Sequence, residues 1–184
     1  RFGAIVEKIE AGKSPSGQSS PANDHEFGVL KVSAVGDWTF IPSENKRIEM
    51  ADFLSEYQVR AGDFLATRAN ADPNSVARTC IVSESYPNLM LSDKTWRIRF
   101  RENRTYSQVG ILAWTKGRLF REHILKELAG TEAKNISQSR FLDAPFPICT
   151  PSEFNNFADQ VSSILNQEAA IVQRMQGLLT IGKA

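Results

Sequence analysis

From Thr150 the chain reads TPSE, and behind it Phe154, Phe157, Val161, Ile164, Ile171, Met175 and Leu178 occupy the a and d places of a seven-residue repeat, broken by Glu168. A hydroxyl residue, a proline and a glutamate at this spacing form a capping box with Pro at the first helical position, so a helix is predicted to start here. Some 28 residues of helix would extend roughly 42 Å, more than a small domain needs to close its core. A stripe of this kind can cover a sheet, but its length predicts that part of the helix leaves the globule and packs on another helix. Glu168 at an a place favours a specific partner helix. The sequence thus divides into a globular part, residues 1–149, and a helical spacer or dimerisation region, residues 150–184.

Upstream of that helix the hydrophobic period shortens to two. GVLKVSAV, DWTFI, RTCIV and TWRIRF read as strands, and VRAGDFLATR as a Gly62-Asp63 turn feeding a strand from Phe64 to Arg68. Ala11 to Gly28, rich in Ser, Pro and Gly, is predicted to be a long loop, and ANADPN a turn. Between Leu119 and Leu128 the period changes again. Phe120, Ile124 and Leu128 mark one helical face, Glu122 and Lys126 an i,i+4 pair, and Gly130 a C-terminal cap. The expected fold is α/β of the α+β kind: a sheet-rich globular domain with short helices, then a long C-terminal coiled-coil helix.

The net charge of +1 hides an asymmetry. Residues 1–93 hold nine Lys/Arg against thirteen Asp/Glu, a net of −4, and residues 127–184 four against six, a net of −2. Between them Lys94, Arg97, Arg99, Arg101, Arg104, Lys116, Arg118, Arg121 and Lys126 face only Glu102 and Glu122, a net of +7. Such a block is the footprint of a surface that meets phosphates. Within it TWRIRFR places Trp96, Ile98 and Phe100 on one face of a strand and Arg97, Arg99 and Arg101 on the other, about 6.6 Å apart. Two readings compete for these arginines: pairing with acids on a neighbouring strand, or a ladder of positive charge for an anionic ligand.

Signals of catalysis are weak. His25 and His123 lie in unrelated settings, and no CxxC or HxxxH spacing offers a metal site. GxSxG, GxxxxGK[ST] and GxGxxG are all absent. DAPF, Asp143 to Phe146, lacks the first proline of the adenine-methyltransferase [DN]PP[FY] loop, and the triplets ENK (Glu44 to Lys46) and EAK (Glu132 to Lys134) are too common to specify a nuclease. Cys80 and Cys149 sit in apolar surroundings, as reduced core thiols of a cytoplasmic protein do. No apolar run reaches the eighteen or so residues of a membrane span. No signal peptide is expected from this sequence, and its opening on Arg1 rather than Met fits a piece processed or excised from something longer.

Several separated segments together resemble a type I restriction-modification specificity subunit, one target-recognition domain followed by one helical spacer. GVLKVSAV resembles the strand after the family's variable loop, and VRAGDFLATR its Gly-Asp turn, strand and terminal Arg. GTEAKNISQSRFLDAPFPICTPSE, Gly130 to Glu153, is similar to the family's Gly-Thr segment, Asn-Ile-Ser, and Pro-hydrophobic-Pro run into the helix. The order and spacing hold over nearly the whole chain. Phe154 follows Glu153 where the family commonly has Gln, and the chain has material for one recognition domain and one helix where specificity subunits usually carry two of each.

The resemblance implies a non-catalytic, cytoplasmic module that reads one half of a bipartite double-stranded DNA site. Methylation and restriction subunits would be its partners, with S-adenosylmethionine, ATP and Mg on those subunits and none in this chain. An excised domain, a half-subunit that pairs with itself or a second recognition half, and the recognition end of a fused restriction-methyltransferase all fit. Within this reading Lys94, Arg97, Arg99, Arg101 and Arg104 are expected to face phosphates, with Lys116 and Arg118 as a second basic turn. Arg68 and Asn70 are the candidate base readers, since Arg suits guanine and Asn adenine. Phe154, Phe157, Val161, Ile164, Ile171, Met175 and Leu178 are expected to form the helix interface. The rivals are an RNA or single-strand binder using outward aromatics, a metal-dependent nuclease, and a protein-interaction module whose basic face is incidental.

Overall fold

The computed structural model describes residues 1–102, 106–129 and 134–181, with side chains as far as residue 176. Its strands are β1 (Val6–Ala11), β2 (Phe27–Leu30), β3 (Trp38–Thr39), β4 (Asn45–Ile48), β5 (Gln58–Val59), β6 (Phe64–Thr67), β7 (Thr79–Ile81), β8 (Tyr86–Met90) and β9 (Thr95–Phe100). Its helices are α1 (Gln108–Lys116), α2 (Arg118–Leu128), α3 (Gln138–Leu142) and α4 (Pro151–Ile181). The strands form two sheets, one ordered β1-β9-β6-β7-β3 and the other β4-β2-β8-β5.

Alternation along β6 and β9 decides the layering. Phe64, Ala66, Trp96 and Ile98 point to a core shared with Ile111 of α1, Phe120 and Ile124 of α2, Phe141 of α3 and Phe154 of α4. Leu65, between Phe64 and Ala66, points the other way and joins Cys80, Leu30, Leu89 and Leu91 in a second core contributed largely by the other sheet. The five-stranded sheet is therefore covered on both faces, by helices on one side and by the second sheet on the other. Burial pushes the Cys80 thiol up to about 12, so it packs as a small apolar group.

Several expected elements are present with different extents. Of GVLKVSAV, the strand ends at Leu30 and Val32–Ala34 form a 3-10 turn; DWTFI supplies just two strand residues. Gly62 makes the anticipated turn with φ +80°, a left-handed conformation that glycine adopts without strain. ANADPN is capped by Asp72, whose carboxylate accepts from Asn74 N at 3.0 Å. In α2 the buried face is Phe120, Ile124 and Leu128 as its spacing predicts. Glu122 pairs with Arg118 at 3.3 Å instead of Lys126, and the expected cap Gly130 lies outside the described residues.

Helix α1 had no clear sequence signal, because Gly110 interrupts it and Ser107 makes no side-chain cap hydrogen bond. Packing supplies its stability. A Cβ added at Gly110 would lie 2.7 Å from Phe154 Cε1 and 2.9 Å from Ala158 Cβ, so glycine allows α4 to cross α1 closely. Ser107 N donates to Asn155 of α4 at 2.7 Å. The capping box forms as predicted: Thr150 N and Oγ1 each donate to Glu153 Oε2 at 2.8 Å, and Glu153 N donates back to Thr150 Oγ1 at 3.3 Å. These hydrogen bonds, that from the Thr150 backbone first, hold the Glu153 carboxyl below its ordinary range.

Candidate nucleic-acid interface

The arginine strand that dominates the charge pattern does not face solvent. Arg97 stands opposite Leu65 in the β6–β9 register and is 1 % exposed, between the two sheets. Its guanidinium pairs with Asp63 at 3.0 Å and Glu10 at 3.4 Å. It also donates to the backbone carbonyls of Gln58 and Glu56. Arg99, 41 % exposed, reaches the same two carboxylates at 3.4 Å and 3.5 Å. Burial pushes the Glu10 carboxyl up, but hydrogen bonds from Lys8 and Arg97, with the charges of Lys8 and Arg99, hold it below its ordinary value. Arg97 is therefore corrected from a phosphate contact to the centre of an internal ion cluster, and Arg99 is largely engaged there too. The opposite face of a strand meets water only where no second sheet covers it, and here one does.

The rest of the basic block disperses. Arg101 is exposed at the far end of β9, where its amide donates to Ile5 O at 3.0 Å. Arg104 lies outside the described residues. Lys116 turns inward to Asp37 at 3.0 Å and Thr79 O at 2.8 Å, above the Trp38 ring; burial pulls its pKa down. It is thus not part of a free basic turn, whereas Arg118 is exposed and pairs with Glu122. Arg121 donates to the carbonyls of Val76 and Asn74.

Arg68, Asn70 and Lys94 do come together. Arg68 follows β6 and Lys94 precedes β9, and Arg68 N donates to Lys94 O at 2.8 Å. The chain beyond α2 returns to the same place: Ile136 N donates to Arg68 O at 3.0 Å and Asn70 N to Lys134 O at 3.2 Å, around an Ala69–Asn135 bridge. A cleft of 560 Å³ opens here, lined in part by Lys31, Ser33, Asn70, Lys94, Lys134 and Asn135. A neighbouring cleft shares Lys31 and Lys94 and adds Lys46. Lys31, Lys46 and Lys134 stand outside the basic block because they lie in the two net-acidic parts of the sequence, and no sequence pattern marks them as DNA contacts. The signal available was local: Lys31 interrupts the apolar run GVLKV, and Lys134 belongs to GTEAKNIS.

Along α4 the predicted stripe has two fates. Phe154 is buried against α1, with Ala158 beside it, and so belongs to the domain's own core. Val161 is half-buried. Phe157, Ile164, Ile171 and Met175 are exposed, with Val172 beside them. The side chain of Leu178 is outside the described residues. Among the described residues no group of His, Cys, Asp and Glu is clustered to hold a metal ion, and no helix is long and apolar enough to cross a membrane.

Compared with known proteins, the chain is 29% identical, in an alignment of 179 residues that covers 90% of this chain, to the type I restriction enzyme EcoEI specificity subunit of Escherichia coli. The chain is homologous to a type I restriction specificity subunit. It spans 30% of the length of that specificity subunit. Its fold also matches a chain in a solved structure on complex assembly and conformational transition of the type I R-M system, with a TM-score of 0.59 and 16% identity over 95% of this chain and 39% of the other. No family model matches the chain.

Proposed function

We propose that the chain is a target-reading module of a type I restriction-modification system: its globular part recognises a segment of duplex DNA, and α4 sets spacing and joins it to other subunits. The homology over nearly the whole chain carries this reading, and the cleft between Lys31, Lys94 and Lys134 supports it with a place for an anionic ligand. The module performs no chemistry. Methylation and restriction subunits are its partners in the complex, S-adenosylmethionine, ATP and Mg belong to those subunits, and the site of action is the cytoplasm. The exposed stripe Ile164, Ile171 and Met175 is the surface for a second helix, in a coiled coil with a second recognition half or a second copy.

Stacking of single-stranded bases is disfavoured, because Trp96 and Phe100 turn to the helical core and are not outward. The test is competition: a labelled 30-mer duplex bound by the chain is challenged with unlabelled duplex and with unlabelled single strands. Displacement by duplex at a tenth or less of the single-strand concentration is the expected result. Preferential displacement by single strands would overturn duplex reading.

A further inference from the structure

Several cations of this protein are already satisfied from within. Arg97 and Arg99 meet Asp63 and Glu10, Lys116 meets Asp37, Arg47 meets Glu26, and Arg140 meets Glu127. Lys31, Lys94 and Lys134 form no ion pair among the described residues, and they converge on one cleft that, among those residues, no carboxylate lines. In the adjoining cleft, which shares Lys31 and Lys94, Asp93 is engaged by the Ser14 hydroxyl. Three ammonium groups without an ion pair around one concavity repel each other, and a polyanion relieves that repulsion.

The floor of that cleft is backbone-braced. The hydrogen bonds that join Arg68 to Lys94 and Ile136, and Asn70 to Lys134, tie three distant segments together, and Lys31 N is held by Glu44 O at 3.0 Å. Two amides stand at this floor with different commitments. Asn70 Oδ1 accepts Asp72 N at 3.1 Å and so shapes the turn. Asn135, across the Ala69–Asn135 bridge, is exposed, and its side chain makes no hydrogen bond among the described residues. A free carboxamide offers one acceptor and two donors, the pairing that adenine presents as N6 and N7 in the major groove.

We infer that Lys31, Lys94 and Lys134 grip phosphates of a DNA duplex in this cleft while Asn135 reads an adenine edge between them, with Asn70 as the residue that positions the turn. The inference rests on the duplex-reading proposal above and names its site. Phosphate contacts fix register without encoding sequence, and a single bidentate amide adds the sequence information. The groups are set for this division, because the lysines are long and adaptable while Asn135 is short and anchored at a bridged backbone position.

The test uses the whole chain. Duplexes selected by the wild type from a random-sequence pool are compared with scrambled duplexes in a salt series, for wild type, Lys31→Ala, Lys134→Ala and Asn135→Ala, each checked for an unchanged unfolding midpoint. Each lysine variant is expected to weaken selected and scrambled duplexes alike and to flatten the log–log salt slope by about 0.9. Asn135→Ala is expected to weaken selected duplexes about tenfold, to spare scrambled ones, and to lose an adenine preference at one position. Wild-type duplex binding with unaltered slopes and an unaltered preference in all three variants would overturn this assignment and leave duplex reading standing. If the wild type binds no duplex, both fall together.

Discussion

Arg97→Met separates an internal role from a DNA contact. Methionine keeps an unbranched chain of similar reach and removes the charge, so Asp63, 2 % exposed, loses its 3.0 Å partner. Breaking a buried pair by removing one member costs about 3–5 kcal/mol, since the remaining charge is left uncompensated. Asp63 would keep Arg99 at 3.4 Å and the Arg60 amide at 2.9 Å, which places the loss at the low end, about 3 kcal/mol. With a urea dependence of about 2 kcal/mol per M, the unfolding midpoint falls by about 1.5 M. Replacing both partners, Arg97→Met with Asp63→Leu, removes the stranded carboxylate and is expected to recover more than half of that loss. The assay is urea unfolding followed by tryptophan fluorescence, run beside duplex titrations of the same proteins. A midpoint within about 0.3 M of wild type, together with a flattened salt slope for DNA, would refute the internal assignment and restore the arginine ladder.

Other consequences follow from the same geometry. Acid titration of stability tests the Glu10 cluster: its carboxyl is held below the ordinary value of 4.5, so the unfolded chain takes up the proton first. Its contribution is full above about pH 4.5 and lost as pH falls through the lower folded value, and Glu10→Gln should remove that part of the pH dependence. Gly110→Val places side-chain atoms against Phe154 and Ala158 and should cost about 1–3 kcal/mol in thermal or urea unfolding; an unchanged midpoint would show that α4 does not cross α1 as closely as described. Ile164→Asp with Ile171→Asp, both on exposed positions, should leave the unfolding midpoint of the globular part unchanged and abolish self-association or subunit capture in sedimentation. Unchanged assembly would remove α4 from that role.

Local signals carried far through this sequence. The capping box at Thr150–Glu153, the Gly62 turn and the Phe120, Ile124, Leu128 face are each set by a few neighbouring residues, and each has the structure its pattern predicts. Elements set by tertiary packing were hidden. Strand β4 reads NKRI and is held by pairing with β2; α1 contains a glycine whose reason is a helix from the far end of the chain. The same distinction governs the site. Period-two alternation correctly put Arg97 opposite Trp96 and Ile98, but the pattern says nothing of what covers the second face, and a second sheet does. Counting charge along the chain favoured residues 94–126, whereas the cleft gathers Lys31, Lys94 and Lys134 from three separate stretches through hydrogen bonds between distant backbones. The heptad stripe likewise gave the helix without revealing that Phe154 belongs to the globule and Ile164 to the surface.

The central claim is that this chain itself holds duplex DNA through uncompensated cations on its globular part. Fluorescence anisotropy of a labelled mixed-sequence 30-mer duplex, titrated with the full chain at several salt concentrations, tests it most directly. Neutralising about three to five phosphates predicts a slope of log affinity against log salt between about −3 and −5. Binding that is absent at low salt, or that does not change with salt, would contradict the account.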